Sequence, residues 1–407
     1  MNITQLEIKE WGETGDLDLS DEDIRYLNCE EFNKKFDVRP IGGRSYRIST
    51  TSWIGVIKLP SGVVIRILPK LGITNFFVIL NYTLNLDLQF IEQEVRYEGG
   101  FNFLELFARL FLNEVQKVIQ NGLYKSYALK RENLPYIKGR ILLYETLRFN
   151  RINRQLTYNE YDDLNYDNLE NRLVLYGLNQ LSNLPLNQEV LSGINDHIRL
   201  LLSQDITLEK MSEVDVNQSL RSLNKFNEYY GNALVLVKLI IKTLFTAALY
   251  SGESKGFGFL INMNGVFETL VTKLVSDAYQ DFDVKEQEKS QNIILEKSYG
   301  LSERKIKPDI EIWKGNTIQK IVDAKYKDFK SGDSIQDSDI YQATTYSFAL
   351  KSDVILIFPS SIEDWGGWYQ LMNGKTLYIK TIKLDKTLPP EEYIKDLKNQ
   401  IKNLVGL

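Results

Sequence analysis

The chain reads as α/β overall, a multi-domain α+β arrangement with a β-rich N-terminal lobe with helices, a helical middle region and a C-terminal α/β domain. Three observations predict this. Residues 3–8, 46–51, 54–59 and 63–68 are short β-rich runs separated by Gly42-Gly43 and Pro60-Ser61-Gly62, the punctuation of strands and turns. Residues 169–184, 187–203 and 220–250 carry apolar positions at helical spacing, with Pro185 dividing the first two. Residues 305–327 alternate apolar and polar side chains about a Gly315-Asn316 turn, and the apolar run 354–358 ends at Pro359 as a buried strand would. The boundaries that follow are 1–130, 131–250 and 251–407.

A chain of 407 residues, 43% apolar and 25% charged, can bury a large core and has the composition of a folded protein. Its net charge of −5 argues against a generally basic coat, so any DNA contact must be local. Cys29 is the single cysteine, which excludes an internal disulfide and a cysteine-cluster zinc site and suits a reducing cytosol. The single histidine, His197, lies in a helical run and reads as structural, which weakens Ser-His-Asp and Cys-His chemistry. The opening MNITQLEIKEWGE lacks the pattern of a secretory signal. Lys238 and Lys242 interrupt the most apolar run, 233–250, so it packs inside a helical domain rather than a membrane. The expectation is a cytoplasmic protein with no membrane partner.

In the first lobe, Phe76, Phe77, Leu80 and Leu84 recur at helical intervals, and 101–119 repeats the pattern. The block 137–172 is the most basic and least periodic part. It holds Lys138, Arg140, Arg148, Arg151, Arg154 and Arg172 among Tyr144, Phe149, Tyr158 and Tyr161, a mixture suited to tracking phosphates and stacking bases. Glu145, Glu160, Asp162, Asp163, Asp167 and Glu170 are close enough in sequence to make it a solvated mixed-charge surface instead. Both readings stay open. Residues 251–264 read as a linker: Lys255, Gly256 and Gly258 are followed by no Gly-Lys-Ser/Thr, and nothing else in the sequence supplies a P-loop. No nucleotide is expected on this chain, and a nucleotide motor would be another chain.

The chemistry concentrates near the end. In an extended strand Asp323 and Lys325 face one side and Val322 and Ala324 the other, with Asp309 on the preceding strand. Glu268 lies beside Val271 and Val275 on an upstream helix, and Gln342 and Tyr346 stand four apart on a downstream one. A solvated cross-strand ion pair is the plain alternative. Pro308-Asp309 followed by Asp323-Ala324-Lys325, in the order helix, strands, helix, strand, resembles the PD-(D/E)xK nuclease superfamily. The resemblance implies a restriction-endonuclease-like domain in which Asp309, Asp323, the Ala324 carbonyl and Glu268 bind Mg2+, with Mn2+ as an alternative. Lys325 would orient the attacking water, and Gln342 and Tyr346 would support it.

A longer likeness spans most of the chain. VVIRILPK (63–70), KGRILLYETLRFN (138–150), YDDLNYDNLENRLV (161–174), MNGVFETLV (263–271), DAKYK (323–327) and DIYQATTY (339–346) resemble the McrC family, the nuclease subunits of McrBC-type modification-dependent restriction systems. That resemblance implies a McrB-like AAA+ GTPase hexamer as partner, engaged and stimulated by the 1–130 lobe. It also implies DNA as substrate, with cytosine modification recognised by the partner. Arg140, Arg148 and Arg172 would then face the ring or the DNA. A regulatory subunit with an idle site, or a nuclease acting alone, are the alternatives.

Overall fold

In the computed structural model the described residues are 5–30, 32, 35–84, 103–152, 155–245, 256–286, 292–295, 304–327, 329, 335–360 and 365–407. Arg154 and Lys255 lie outside them. Two compact units emerge, one of residues 1–103 with 245–407 and one of residues 104–244, where three consecutive blocks were expected. Among the described residues no helix is long and apolar enough to cross a membrane.

The first unit holds two main sheets. Gln5–Lys9 pairs parallel with Val64–Leu68, which runs antiparallel to Trp53–Lys58, and that strand takes Phe257–Asn262 antiparallel on its other side. Leu244–Phe245 completes the edge. The linker expected at 251–264 is therefore corrected: its second half is a strand. Residues 257–261 are buried throughout, so the stretch shows no alternation, and its glycines imitate a loop. Ile57, Ile65 and Ile67 from this sheet pack with Tyr26 and Leu27 of the Asp21–Leu27 helix, and Cys29 packs half-buried against them.

The second sheet has strand order Asp283–Glu286, Ile310–Lys314, Thr317–Ala324, Asp353–Ser360, Thr376–Lys383, Gly366–Gln370. Ile310–Lys314 and Thr317–Ala324 form the hairpin about Gly315-Asn316, and Thr317–Ala324, Asp353–Ser360 and Thr376–Lys383 run parallel. A parallel pair needs a crossover, and the Asp337–Leu350 helix supplies it. Its Ala343 and Tyr346 pack on Ile321, Val354, Leu356 and Phe358, the face that Asp323 shares by alternation.

In the second unit the helices Phe103–Asn121, Leu169–Ser182, Gln188–Leu202, Glu213–Ser222 and Gly231–Thr243 bury their apolar stripes. The helical segment expected at 220–250 is divided in the structure, with a 3-10 turn at Glu228–Tyr230 between two helices. The aperiodic block 137–172 is also corrected: Ser126–Leu134, Thr157–Asn165 and Arg140–Ile141 form an antiparallel sheet, with the Leu143–Phe149 helix beside it. Gly139 makes the entry to Arg140 possible, because at φ +71° a Cβ would lie 2.5 Å from the Glu160 carbonyl oxygen. The YDNLENR stretch has a structural role. Asn168 caps the helix that follows, while buried Asn171 donates to the Tyr124 and Tyr166 carbonyls and accepts from the Tyr230 hydroxyl at 2.6 Å. His197 is likewise structural, bridging Gly193 and Gln116.

Candidate active site

Asp323 lies one residue from the end of a parallel strand buried on both faces. Its backbone register is fixed by Leu356 of the neighbouring strand, and the Lys325 N–H continues the ladder to the Ile357 carbonyl at 2.9 Å. The sheet thus presents Asp323 and Lys325 at its C-terminal edge, where parallel strands commonly place ligands. The hairpin returns Asp309 beside them: its carboxylate accepts the Ala324 N–H at 2.8 Å.

Lys325 Nζ sits 2.6 Å from Asp323 Oδ2 and donates to Gln342 Oε1 at 3.0 Å. The bonds continue outward in one direction. Gln342 Nε2 donates to the Tyr346 hydroxyl at 2.6 Å, and that hydroxyl donates to the Lys307 carbonyl at 3.1 Å. The two helical residues sit four apart, so both lie on one side of the helix, Tyr346 buried against the sheet and Gln342 at the exposed rim.

Electrostatics ties Glu268 to this group. Its carboxyl is pushed up by burial, held down by Lys325 and raised again by Asp323. Burial and the Asp323 charge push Asp309 up to about 8, against the Ala324 N–H that favours its anion. Asp323, 1% exposed, is raised by burial despite Lys325 beside it. Burial works against the Lys325 ammonium, but Asp323, Asp309 and Asp339 outweigh it and hold its pKa above that of an ordinary lysine.

The expected catalytic residues Asp309, Asp323 and Lys325 and the supporting Gln342 and Tyr346 are joined by direct contacts, and Glu268 by its field. Among the described residues no three histidine, cysteine or acidic side chains gather closely enough to hold a metal by themselves. The donor chemistry nevertheless suits Mg2+. Asp309 and Asp323 offer hard oxygens, Lys325 pairs with the Oδ2 of Asp323, and Mg2+ keeps several waters rather than needing a protein cage.

Sequence reasoning missed two neighbours of the site. Lys327 binds both oxygens of buried Asp339 at 2.8 Å, one turn before Gln342, and Tyr326 donates to buried Glu10 at 2.6 Å. Lys327 continues the Asp323, Lys325 alternation and could have been found. Glu10 lies more than three hundred residues away in the chain and left no local signal.

The basic block is mostly spent on its own unit. Lys138 pairs with Asp163 at 3.3 Å and lies over the Tyr161 ring, Arg140 pairs with Glu160 at 3.6 Å, and Arg172 with Asp167 at 2.6 Å and Glu209 at 2.8 Å. The Arg172 hydrogen bonds hold Asp167 down at about 2. Arg148 approaches Phe149, and Arg148 and Arg151 show no ion pair among the described residues.

The model of the McrBC 5-methylcytosine restriction system component family matches residues 48–359. The chain belongs to that family. It is 24% identical over 350 residues to the type IV methyl-directed restriction enzyme EcoKMcrBC of Escherichia coli (strain K12), covering 79% of this chain and 95% of the relative. Its fold is similar, with a TM-score of 0.63 at 16% identity, to a chain in a refined half-complex from a tetradecameric assembly of Thermococcus gammatolerans McrB AAA+ hexamers with bound McrC. That likeness covers 97% of this chain and 100% of the other. As a McrBC component, the chain matches its relatives across both units, the site residues up to Gln342 and Tyr346 lying within the matched span.

Proposed function

We propose that the chain is the DNA endonuclease subunit of a McrBC-like restriction complex, hydrolysing phosphodiester bonds with Mg2+ and stimulating the GTPase of a McrB-like AAA+ hexamer. The observation that carries this reading is Lys325, held between Asp323 and Gln342 at the end of a parallel strand, with Asp309 and Glu268 acting on the same charge centre. Asp309, Asp323 and the Ala324 carbonyl would hold the ion, with Glu268 in support. When bound, the ion supplies Lewis-acid stabilisation of charge on the phosphoryl group.

The chain's own residues do the rest. Lys325 orients the attacking water and balances the negative charge that develops on phosphate. Gln342 fixes the ammonium, and Tyr346 fixes Gln342 by anchoring it to the Lys307 backbone. Modified cytosine is read by the partner.

An exposed apolar surface favours the partner reading, and it lies on residues 126–165 rather than throughout the 1–130 lobe. Tyr127 and Leu129 of the three-stranded sheet, and Leu143 and Leu147 of a helix with no buried residue, are all exposed. Exposed apolar side chains gathered on a short helix and a sheet of one unit are what a partner surface would use.

The test is DNA cutting in the presence of the motor subunit, GTP and Mg2+. Lys325→Ala is expected to lower cutting by about a hundredfold or more, the usual effect of removing a group that meets transition-state charge, while GTPase stimulation persists. Undiminished cutting by that variant would leave the chain as a regulatory subunit with an idle site.

A further inference from the structure

Residues directly after Lys325 line a cavity of about 390 Å³ in the first unit that the proposed chemistry does not use. Its walls are of two kinds. Trp11, Leu71, Tyr326 and Phe329 give an apolar and aromatic interior, while Lys9 and Lys70 bring cationic side chains beside the Asp385 carboxylate, the Lys327 ammonium being held by Asp339. We infer that this cavity is a nucleotide subsite, taking one unstacked nucleotide of the DNA strand beside the cutting site.

The chemistry favours that ligand class over a purely apolar one. A base offers a π-face to Trp11, and its phosphate needs cations at the rim, where Lys9 and Lys70 are exposed. The walls are also held in place before any ligand arrives. Glu10, next to Lys9 and Trp11, accepts the Tyr326 hydroxyl at 2.6 Å and the Lys70 N–H at 2.7 Å. One buried carboxylate therefore joins three segments of the cavity wall. Tyr326 also packs against Phe267, with ring centroids 5.6 Å apart, and Phe267 precedes Glu268. Trp11 is set by a left-handed backbone, φ +60°, with its N–H bonded to the Thr51 carbonyl, and its side chain remains 41% exposed. A large aromatic kept in that conformation, half in solvent, has little to do for the core.

Lys327 links the cavity to the cutting site, since its partner Asp339 is among the charges that raise Asp323. Tyr326 and Lys327 of the cavity wall also follow Lys325 directly in the chain. The subsite thus rests on the nuclease reading for its purpose, but its binding can be measured without cutting.

The experiment measures binding of a fluorescein-labelled single-stranded oligodeoxynucleotide to the full chain in EDTA, over a series of salt concentrations. Trp11→Gly removes the ring and keeps a residue at home at positive φ; it is expected to weaken binding on the order of tenfold, the typical worth of one stacked base. Lys9→Gln with Lys70→Gln should reduce the slope of log affinity against log salt by about two, one per lost phosphate contact. Lys327→Gln is left out because it would strand buried Asp339. Wild-type affinity and slope in both variants, with unfolding temperatures unchanged, would overturn the subsite. Lys325→Ala separates the two readings. Normal oligonucleotide binding with normal cutting removes the nuclease assignment alone, whereas lost cutting in Lys325→Ala beside wild-type binding in the cavity variants removes the subsite alone.

Discussion

The Ala324 N–H and the Lys325 charge favour the Asp309 anion, and two like charges, Asp323 and Glu268, oppose it. Burial and those acids raise its pKa from an ordinary 3.8 to about 8. A carboxyl that binds its proton more tightly folded than unfolded adds stability below the unfolded value, and the contribution disappears as pH rises through the folded one. The metal-free chain should therefore melt at falling temperatures between about pH 4 and pH 8. Asp309→Asn keeps an oxygen for the Ala324 N–H without the charge, so it should flatten that slope, and Mg2+ should raise the wild-type melting temperature most at the upper end. Thermal unfolding in EDTA decides it: identical slopes for wild type and variant would show that Asp309 is not the group responsible. At this scale much of the site was legible. Strand alternation places Asp323 and Lys325 together, and helical spacing places Gln342 over Tyr346. The Glu10–Tyr326 bond was not legible, because a contact between distant segments carries no periodic trace.

Elements were legible where turn signals bound a β-branched or alternating run. Trp53–Lys58 and Val64–Leu68 show β-branched residues between turn signals, and the 305–327 hairpin alternates around its turn. Phe257–Asn262 was hidden because Gly256 and Gly258 at its start imitate a loop and its burial on both faces removes any alternation that could offset them. The Ser126–Leu134 and Thr157–Asn165 pair was hidden because both its faces carry charge, so hydrophobic patterning could not report it. The hidden strand at 257–262 makes a sharp prediction at Gly55. There φ is +136°, and a Cβ would stand 2.0 Å from the Phe259 carbonyl oxygen. Gly55→Ala must push the two strands apart or twist its own backbone, and should cost about 3 kcal/mol or more. Urea unfolding followed by tryptophan fluorescence measures this. A loss below about 1 kcal/mol, the ordinary effect of a point substitution, would mean that the close approach is absent.

On the scale of the whole chain, the residues proposed to cut and those proposed to meet a partner fall in different compact units. The two activities should therefore be separable by mutation. Leu143 and Leu147 stand four apart on their helix, 69% and 74% exposed, with Tyr127 and Leu129 exposed on the sheet of the same unit. Core packing asks nothing of these side chains, so Leu143→Glu with Leu147→Glu should leave unfolding within about 0.5 kcal/mol of wild type per substitution. Glutamate also preserves helix propensity, which removes a local-unfolding explanation. If an AAA+ hexamer covers this surface, two charges placed on it should weaken association by at least about tenfold, since buried apolar anchors carry most interface energy. Stimulated GTP hydrolysis should fall with it, while oligonucleotide binding by the free chain stays unchanged. Lys325→Ala should give the reverse pattern: full association, full stimulation and cutting lowered by about a hundredfold or more. Wild-type hexamer affinity in the double glutamate variant would move the partner surface off residues 126–165 and return it to the earlier part of the 1–130 lobe.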